Sequence, residues 1–232
     1  MLRYFIRQIK GNRAAGAKWS MLVYFPRWKK ALESNSSTMQ DRLPWLSFPA
    51  IDLLKSTLKR SDTVFEFGGG GSTLFFVDSV AEVVTVEHDT DWYKALEEHM
   101  KGEQGARWEG HHVPPANGTV VSGSDPSEPL HYASTDEASA GKNYEDYASR
   151  IDRYPDGHFD VVLIDGRART SCLHHAVPKL RSGGTLVLDN AERAHYTSKN
   201  VRTLAQLEVI LHGMAPCLHS RDFSETRIYR KK

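Results

Sequence analysis

The chain has 232 residues, of which 40% are hydrophobic and 25% are charged, and this composition is typical of a globular protein with a sizeable core. Its formal net charge of +1 argues against a dedicated nucleic-acid-binding protein, and no apolar run is long enough to predict a transmembrane helix. The two cysteines, Cys172 and Cys217, lack the spacing of a disulfide framework or a zinc site, so we expect a reducing, cytoplasmic location.

The first 30 residues hold eight basic residues and no acid, with six aromatic residues interleaved among them. We predict that residues 1–50 form a basic, aromatic-rich helical extension packed on a domain of residues 51–232, with the cations in solvent. The alternative is an arm that lies against anionic lipid or an acidic partner.

From Val64 onward, short apolar runs alternate with helical stretches, a pattern that predicts β-α units of a parallel sheet. The elements predicted in this half are strands over 64–67, 82–86 and 107–113 and helices over 72–79 and 89–100. Residues 114–141 are rich in Pro, Gly, Ser and acids. They predict an insertion, at about 114–142, that forms a loop or lid at the mouth of a site.

The second half continues the same alternation. Its predicted elements are helices over 143–154, 170–180 and 199–212, strands over 159–165, 185–188 and 226–230, and a turn over 181–184. Tyr144 and Tyr147 lie three residues apart on one predicted helix face, and we expect them to pack into the core. The whole pattern predicts an α/β fold with a doubly wound, mostly parallel, Rossmann-like sheet and an antiparallel pair at its C-terminal edge.

The most informative motif is an apolar strand that ends in an acid, Glu66, and runs into four glycines at 68–71. Glycine suits a turn in which no side chain can come between the backbone and a ligand. Glu87 follows Gly68 by nineteen positions, at the end of the second predicted strand. A doubly wound sheet places there the acid that binds ribose hydroxyls, so the motif predicts a nucleotide-like ligand.

Two residues bear on which nucleotide binds. Thr73 takes the place of the third glycine in the dinucleotide fingerprint. Glu66 would repel a pyrophosphate and suits a cationic ligand. An NAD-dependent oxidoreductase is therefore the less favoured enzyme class.

This combination resembles the class I S-adenosylmethionine-dependent methyltransferases, whose first motif is an acid, an apolar residue and a glycine-rich turn. The resemblance implies that S-adenosyl-L-methionine is the cofactor. The cofactor-binding residues that we predict are Glu66, Gly68, Gly70, Ser72, Thr73, Glu87, His88 and Asp165. Segments 43–45, 64–75, 86–89, 160–169 and 186–193 look like a bacterial methyltransferase-like group of unsettled substrate.

Asp165 ends the strand over 159–165, and Asp189 and Asn190 follow the strand over 185–188. This set resembles the magnesium ligands of catechol O-methyltransferase-like enzymes, which implies a Mg²⁺ that would orient a substrate hydroxyl. The lysine that those enzymes carry three residues after the first acid is replaced by Ala168. In the alternative interpretation, Asp165 contacts the cofactor or substrate, and Asp189 caps the next segment.

Asp165 and His88 are the predicted catalytic residues, since both lie where strands end, and His88, directly after Glu87, is the best-placed histidine for a base. His131, His158 and His195 are weaker candidates for a base. Arg167, Arg169 and Arg193 form either a cationic wall for an acidic acceptor or a solvated surface.

The resulting prediction is a methyltransferase that methylates an oxygen of a small molecule or saccharide, without a nucleic-acid partner. Its alternatives are a module that binds S-adenosyl-L-methionine without turnover and the oxidoreductase. The acceptor and the oligomeric state are not encoded in any pattern that we recognise.

Overall fold

The computed structural model describes residues 1–117 and 124–232. The helices are α1 (Leu2–Gly11), α2 (Phe25–Glu33), α3 (Thr38–Asp41), α4 (Phe48–Thr57), α5 (Gly71–Val77), α6 (Thr90–Met100), α7 (Glu145–Ala148), α8 (Arg169–Lys179) and α9 (Val201–Leu204). The strands are β1 (Thr63–Phe67), β2 (Glu82–Glu87), β3 (Arg107–His112), β4 (Ala116–Asn117), β5 (Lys142–Asn143), β6 (Phe159–Ile164), β7 (Leu180–Leu188), β8 (Leu207–Leu211) and β9 (Arg227–Lys231). Single 3₁₀ turns cover Trp19–Tyr24, Pro129–His131, Glu137–Ser139, Ser149–Arg153 and Ala194–Tyr196.

Among the described residues, seven strands form one sheet in the order β3-β2-β1-β6-β7-β9-β8. The first five strands in this order are parallel, and β9 lies antiparallel between β7 and β8. The prediction of a doubly wound, mostly parallel sheet with an N-terminal helical extension is therefore confirmed. The chain winds outward from β1 in one direction and from β6 in the other, so a crevice opens beyond the carboxyl ends of these two strands.

The central strands are buried on both faces, as expected for near-continuous apolar runs in a parallel sheet. Successive side chains of a strand point to opposite faces, so Val64 packs into one core layer and Phe65 into the other. Phe5, Ile9 and Trp28 of the extension pack into the same layer as Val64. The extension is thus anchored to the core of the sheet, at roughly 1.5–3 kcal/mol for each large side chain that is buried.

The prediction of one helix over 199–212 is wrong. Only α9 is helical there, and the chain then forms the edge strand β8, which pairs with β9 from Leu207↔Lys231 onward. Leucines at a helical spacing suggested the helix, whereas the run that contains Val209 and Ile210 has β-branched side chains that suit a strand. Pairing with β9 therefore outweighs the local helical pattern. The predicted strand over 226–230 is β9, and it does pair antiparallel at the edge of the sheet, but its outer partner β8 lies before residue 213 and not in the segment 213–232.

Three other predicted segments differ in detail. The helix over 143–154 is the short α7 followed by a 3₁₀ turn, and its Tyr144 and Tyr147 are buried, as expected. Residues 181–184 bulge from β7, since Phe159 pairs with Leu180 while Val161 pairs with Thr185. The insertion is bounded by the β4 and β5 pair, and its residues 118–123 lie outside the described residues.

None of the helices in the described part of the chain has the length and apolar character needed to cross a bilayer. Cys172 and Cys217 are buried free thiols.

Candidate active site

The glycine turn, residues 68–71, joins β1 to α5 at the crevice. Gly68 has φ +90°, and a Cβ there would lie 2.9 Å from the Cα of Gly166. Gly70 has φ +154°, and a Cβ there would lie 3.2 Å from the indole of Trp92. Since side chains are disfavoured at positive φ and the neighbouring backbone cannot move aside, this turn requires glycine. It brings the end of β1 against the loop that follows β6.

Glu66 lies behind the glycine turn and is fully buried. Its Oε1 accepts hydrogen bonds from the hydroxyls of Thr73 and Thr85, while its Oε2 has no partner among the described residues. Burial raises the pKa of Glu66 to about 7. The Thr73 hydroxyl also accepts from the Gly70 amide at 3.0 Å. Glu66 and Thr73 therefore brace the turn from behind.

Glu87, at the end of β2, ties the second strand to the glycine turn. Its Oε2 accepts from the Gly69 amide at 3.1 Å, and its Oε1 accepts from the His88 and Asp89 amides at 2.7 Å each. Asp89 then caps α6 through the amides of Asp91 and Trp92. These bonds fix the position of a nearly buried carboxylate, which is 4% exposed, at the floor of the crevice.

The crevice is a cleft of about 680 Å³. It brings together most of the predicted cofactor residues: Gly68, Gly70, Ser72, Glu87, His88 and Asp165. Glu66, Thr73, Asp189 and Asn190 do not line it. The wall residues that the sequence analysis did not predict as site residues include Thr38, Trp45, Asp91 and Trp92. Only Trp92 carried a usable signal, since its position in the first turn of α6 after the Asp89 cap brings it near the glycine turn.

Two tryptophans border the cleft with much of their surface open. Trp92 is 42% exposed, and its Nε1 donates to the Gly69 carbonyl at 2.6 Å. Trp45, in the segment between α3 and α4, is 55% exposed. The cleft therefore has flat apolar surfaces as well as the carboxylates that the sequence predicted.

Arg169 lies between the two acids that the sequence assigned to a metal. Its side chain is 10% exposed and donates to the carbonyls of Asp165, Gly166 and Asp189 and to Asp165 Oδ1, the last at 3.0 Å. Its Nη1 also lies 3.6 Å from Asp189 Oδ2. Asp189 Oδ1 accepts from the Thr226 hydroxyl at 2.7 Å. Asp165 is thus paired with the guanidinium of Arg169, and Asp189 lies near the same guanidinium and accepts from a hydroxyl.

The residues of the predicted magnesium set do not fit a magnesium ion. A guanidinium takes the place that a cation would need between Asp165 and Asp189, and neither acid presents a free pair of oxygens. Within the described residues, no group of three His, Cys, Asp or Glu side chains is placed to hold a metal ion. The prediction of Mg²⁺ at Asp165, Asp189 and Asn190 is therefore corrected, since Arg169 supplies the positive charge there.

The carboxyl group of Asp165 remains on the cleft wall, with 22% of its side chain exposed. Burial and the nearby charge of Asp189 raise the pKa of Asp165 well above its ordinary value, although Arg169 opposes this shift. Burial also raises the pKa of Asp189. Asp165 is thus a stronger proton acceptor than a solvated aspartate.

His88 is held on two sides. Its Nε2 accepts from the Arg167 Nε at 3.2 Å, and its Nδ1 lies 2.7 Å from Glu87 Oε1. Nδ1 and Glu87 Oε1 are close, but no hydrogen bond joins them. Arg167 also reaches Asp136 in the insertion at 3.1 Å. His88 therefore links Glu87 to the insertion through Arg167.

The other candidate groups lie away from the cleft wall. His131 accepts from the Asp125 amide, and His158 stacks on Tyr154. His195 and Arg193 both contact Tyr196. Of the three arginines proposed for a cationic wall, Arg167 and Arg169 line the cleft and Arg193 does not.

No protein-family model matches the sequence, and no curated protein matches it. Among solved structures, the O-methyltransferase from Bacillus cereus in complex with SAH is similar over 91% of this chain and 100% of its own, with a TM-score of 0.59 and 14% identity. The chain has the class I methyltransferase fold.

Two further structures with this class I fold are similar to the chain. A methyltransferase-like protein from Silicibacter pomeroyi DSS-3 is 20% identical, over 78% of this chain and 84% of its own, with a TM-score of 0.49. The tRNA (m1A58) methyltransferase TrmI from Aquifex aeolicus is 17% identical, over 85% of this chain and 76% of its own, with a TM-score of 0.47.

Proposed function

We propose that this chain is an S-adenosyl-L-methionine-dependent methyltransferase that methylates a hydroxyl oxygen of a small molecule or saccharide. One observation carries the proposal. The glycine turn and Glu87 form one cleft at the crevice between β1 and β6, joined by the bond from the Gly69 amide to Glu87 Oε2. In open α/β sheets, nucleotide ligands bind at this place.

The residues of the cleft fit the cofactor. Glu87 Oε2 accepts one hydrogen bond within the chain, which leaves it able to accept another from a ribose hydroxyl. The glycine turn lets a ligand approach the backbone closely. The SAH complex of the Bacillus cereus enzyme, which shares the fold, agrees with this ligand class.

The same turn disfavours a dinucleotide. Glycine at position 71 is explained by the chain itself, since a Cβ there would lie 2.3 Å from the carbonyl oxygens of Leu43 and Thr38. The buried Thr73 stands where the fingerprint needs glycine. The oxidoreductase alternative therefore has no support in the geometry.

When bound, S-adenosyl-L-methionine supplies an activated methyl group on a sulfonium, so the chain has chiefly to position the acceptor and remove its proton. We assign proton removal to Asp165, whose exposed carboxyl edge lies on the cleft wall and whose pKa is raised by burial. When the acceptor hydroxyl takes the methyl group, its proton would pass to the carboxylate of Asp165.

Arg169 and His88 have positioning roles in this proposal. Arg169 holds Asp165 by two hydrogen bonds, to its carbonyl and to its Oδ1. His88 keeps Glu87 and Arg167 in place. A cleft of about 680 Å³ is in the range of small-molecule sites, which suits the cofactor.

Calorimetry with S-adenosyl-L-methionine, followed by mass spectrometry of products across a panel of phenols, sugars and hydroxy acids, tests the proposal. We expect micromolar binding and a mass gain of one methyl group on an acceptor. Absence of binding would refute the proposal. Binding without product on the entire panel would favour the module that binds the cofactor without turnover, and tight binding of NAD would favour the oxidoreductase.

A further inference from the structure

The N-terminal extension buries one side and leaves a second apolar side open. Phe5, Ile9 and Trp28 are buried in the core, whereas the 3₁₀ turn Trp19–Tyr24 presents apolar side chains to solvent. The exposed apolar side chains of this turn are Trp19 at 45%, Leu22 at 38% and Val23 at 73%. Ordinary surfaces expose such residues singly, so three within five positions indicate an interaction surface.

The same region is strongly basic. Among the described residues, two of its eight cations form ion pairs, Arg27 with Asp52 and Lys29 with Glu33. The cations without an acidic partner in these residues are Arg3, Arg7, Lys10, Arg13, Lys18 and Lys30. Lys18 directly precedes Trp19, and Lys29 and Lys30 are exposed on α2, which packs against the 3₁₀ turn.

We propose that this basic apolar face, made of Lys18, Trp19, Leu22, Val23, Lys29 and Lys30, docks on an anionic lipid bilayer. An indole and two aliphatic side chains enter the boundary between headgroups and acyl chains, while the flanking ammonium groups pair with lipid phosphates. None of these residues lines the cleft, so the inference is independent of the cofactor and of the proposed function.

Lipid fits this face better than a nucleic acid does. Leu22 and Val23 have no π-face on which a base could stack, and Val23 is the most exposed apolar side chain of the face. Burying them requires an apolar phase or a protein surface. The cations of the face, of which Lys18 and Lys30 have no acidic partner among the described residues, then select a partner with negative charge, and an anionic bilayer offers both properties together.

Co-sedimentation of the full chain with vesicles tests the inference. One set contains phosphatidylcholine alone, and the other contains equal parts of phosphatidylcholine and phosphatidylglycerol. We expect binding to the anionic vesicles at least tenfold tighter than to the neutral ones, with a decline in high salt, because each cation near an anionic surface contributes about fivefold to partitioning.

Two triple variants separate the contributions of the face. Trp19→Ser with Leu22→Ser and Val23→Ser removes the apolar part, and Lys18→Glu with Lys29→Glu and Lys30→Glu reverses the charge. Each should weaken binding to anionic vesicles by at least about tenfold. The matched controls, which change equally exposed residues elsewhere, are Leu130→Ser with Val201→Ser and Val209→Ser, and Arg60→Glu with Arg202→Glu and Arg230→Glu.

We expect both controls to bind as the unchanged chain does, with all variants retaining its circular dichroism spectrum. Equal binding to both kinds of vesicle, or binding to neither, would overturn the inference. So would controls that lose as much as the face variants. The unchanged chain could instead bind single-stranded RNA more tightly than anionic vesicles. If the face variants then lose that affinity for RNA, the partner is a nucleic acid and the inference is wrong.

Discussion

The amide of Gly69 donates to Glu87 Oε2 at 3.1 Å, so the turn after the first strand and the acid at the end of the second are joined directly. The spacing of nineteen residues between Gly68 and Glu87 thus corresponds to a direct contact between the glycine turn and this carboxylate. The carboxylate both fixes the turn and offers its remaining capacity to a ligand. The site therefore depends on Glu87 in two ways.

Replacing Glu87 by Ala should weaken binding of S-adenosyl-L-methionine by at least about tenfold, since a hydrogen bond to a charged group contributes roughly 1.5–3 kcal/mol. Isothermal titration calorimetry measures the change. Glu82→Ala, at the opposite end of the same strand, is the control and should bind normally. Equal affinity in the Glu87 variant would show that the ribose is held elsewhere.

Gly68→Ala should lower the free energy of unfolding by at least about 2 kcal/mol, because alanine is strained at φ +90° and its Cβ would contact the Gly166 backbone. Urea unfolding followed by circular dichroism tests this. Gly102→Ala is the matched control, since a Cβ there meets nothing within 4 Å. If the two variants are equally stable, the turn is not constrained as described.

A chelator should leave methyl transfer unchanged, because Arg169 holds the position between Asp165 and Asp189. Turnover measured with and without EDTA, and with added Mg²⁺, checks this expectation. Calorimetric titration of the chain with Mg²⁺ alone should show no binding at these acids. Activity that disappears with EDTA and returns with Mg²⁺ would restore the magnesium site predicted from the sequence.

Arg169→Ala should lower the free energy of unfolding by about 3–5 kcal/mol, because it leaves the buried Asp189 and the partly buried Asp165 without their cation. Arg169→Lys keeps the charge but loses the planar fork, so its loss should be smaller. Thermal or urea unfolding of both variants gives the comparison. An alanine variant as stable as the unchanged chain would mean that Arg169 does not balance these charges.

The stability of the chain should fall as the pH rises from about 4.5 to about 7 because of Glu66. Burial raises its pKa from 4.5 to about 7, so the folded chain binds this proton more tightly than the unfolded chain does. Between these two pH values, the carboxyl group of Glu66 lowers the free energy of unfolding by about 3 kcal/mol. Glu66→Gln keeps an acceptor for Thr73 and Thr85 and should remove this loss.

Urea titrations of the unchanged chain and of Glu66→Gln at pH 5 and pH 8 measure the difference. The two should be similarly stable at the lower pH, and the variant should be the more stable at the higher. Glu82→Gln, at a partly exposed carboxyl group, serves as the control. Parallel pH profiles would contradict a buried, protonated Glu66.

The sequence analysis predicted those features that depend on neighbours along the chain. The apolar run before the glycines has to be a buried strand, and the spacing to Glu87 then places the acid in the same crevice. The sequence did not predict that Thr38 and Trp45 line the cleft, because the N-terminal segment reaches the cleft only when the chain is folded. Charge balance was equally hidden, because the guanidinium of Arg169 and the carboxyl of Asp189 are twenty residues apart in the chain.

The secondary structure shows the same division. Leu204, Leu207 and Leu211 satisfy a helical spacing, yet β8 forms because an open edge of β9 is available to pair with it. The sequence of residues 199–212 gives no sign of that edge, because the edge exists only after β9 has paired with β7. The error at 199–212 therefore arises from a long-range choice between two locally acceptable structures.

The two indoles that border the cleft, Trp45 and Trp92, make this chain its own optical probe. Both are partly hydrated, so a ligand that covers them would displace water and change their fluorescence, while the buried Trp28 would keep its emission. Occupancy of the cleft could then be followed in real time without a label, even before any acceptor is identified.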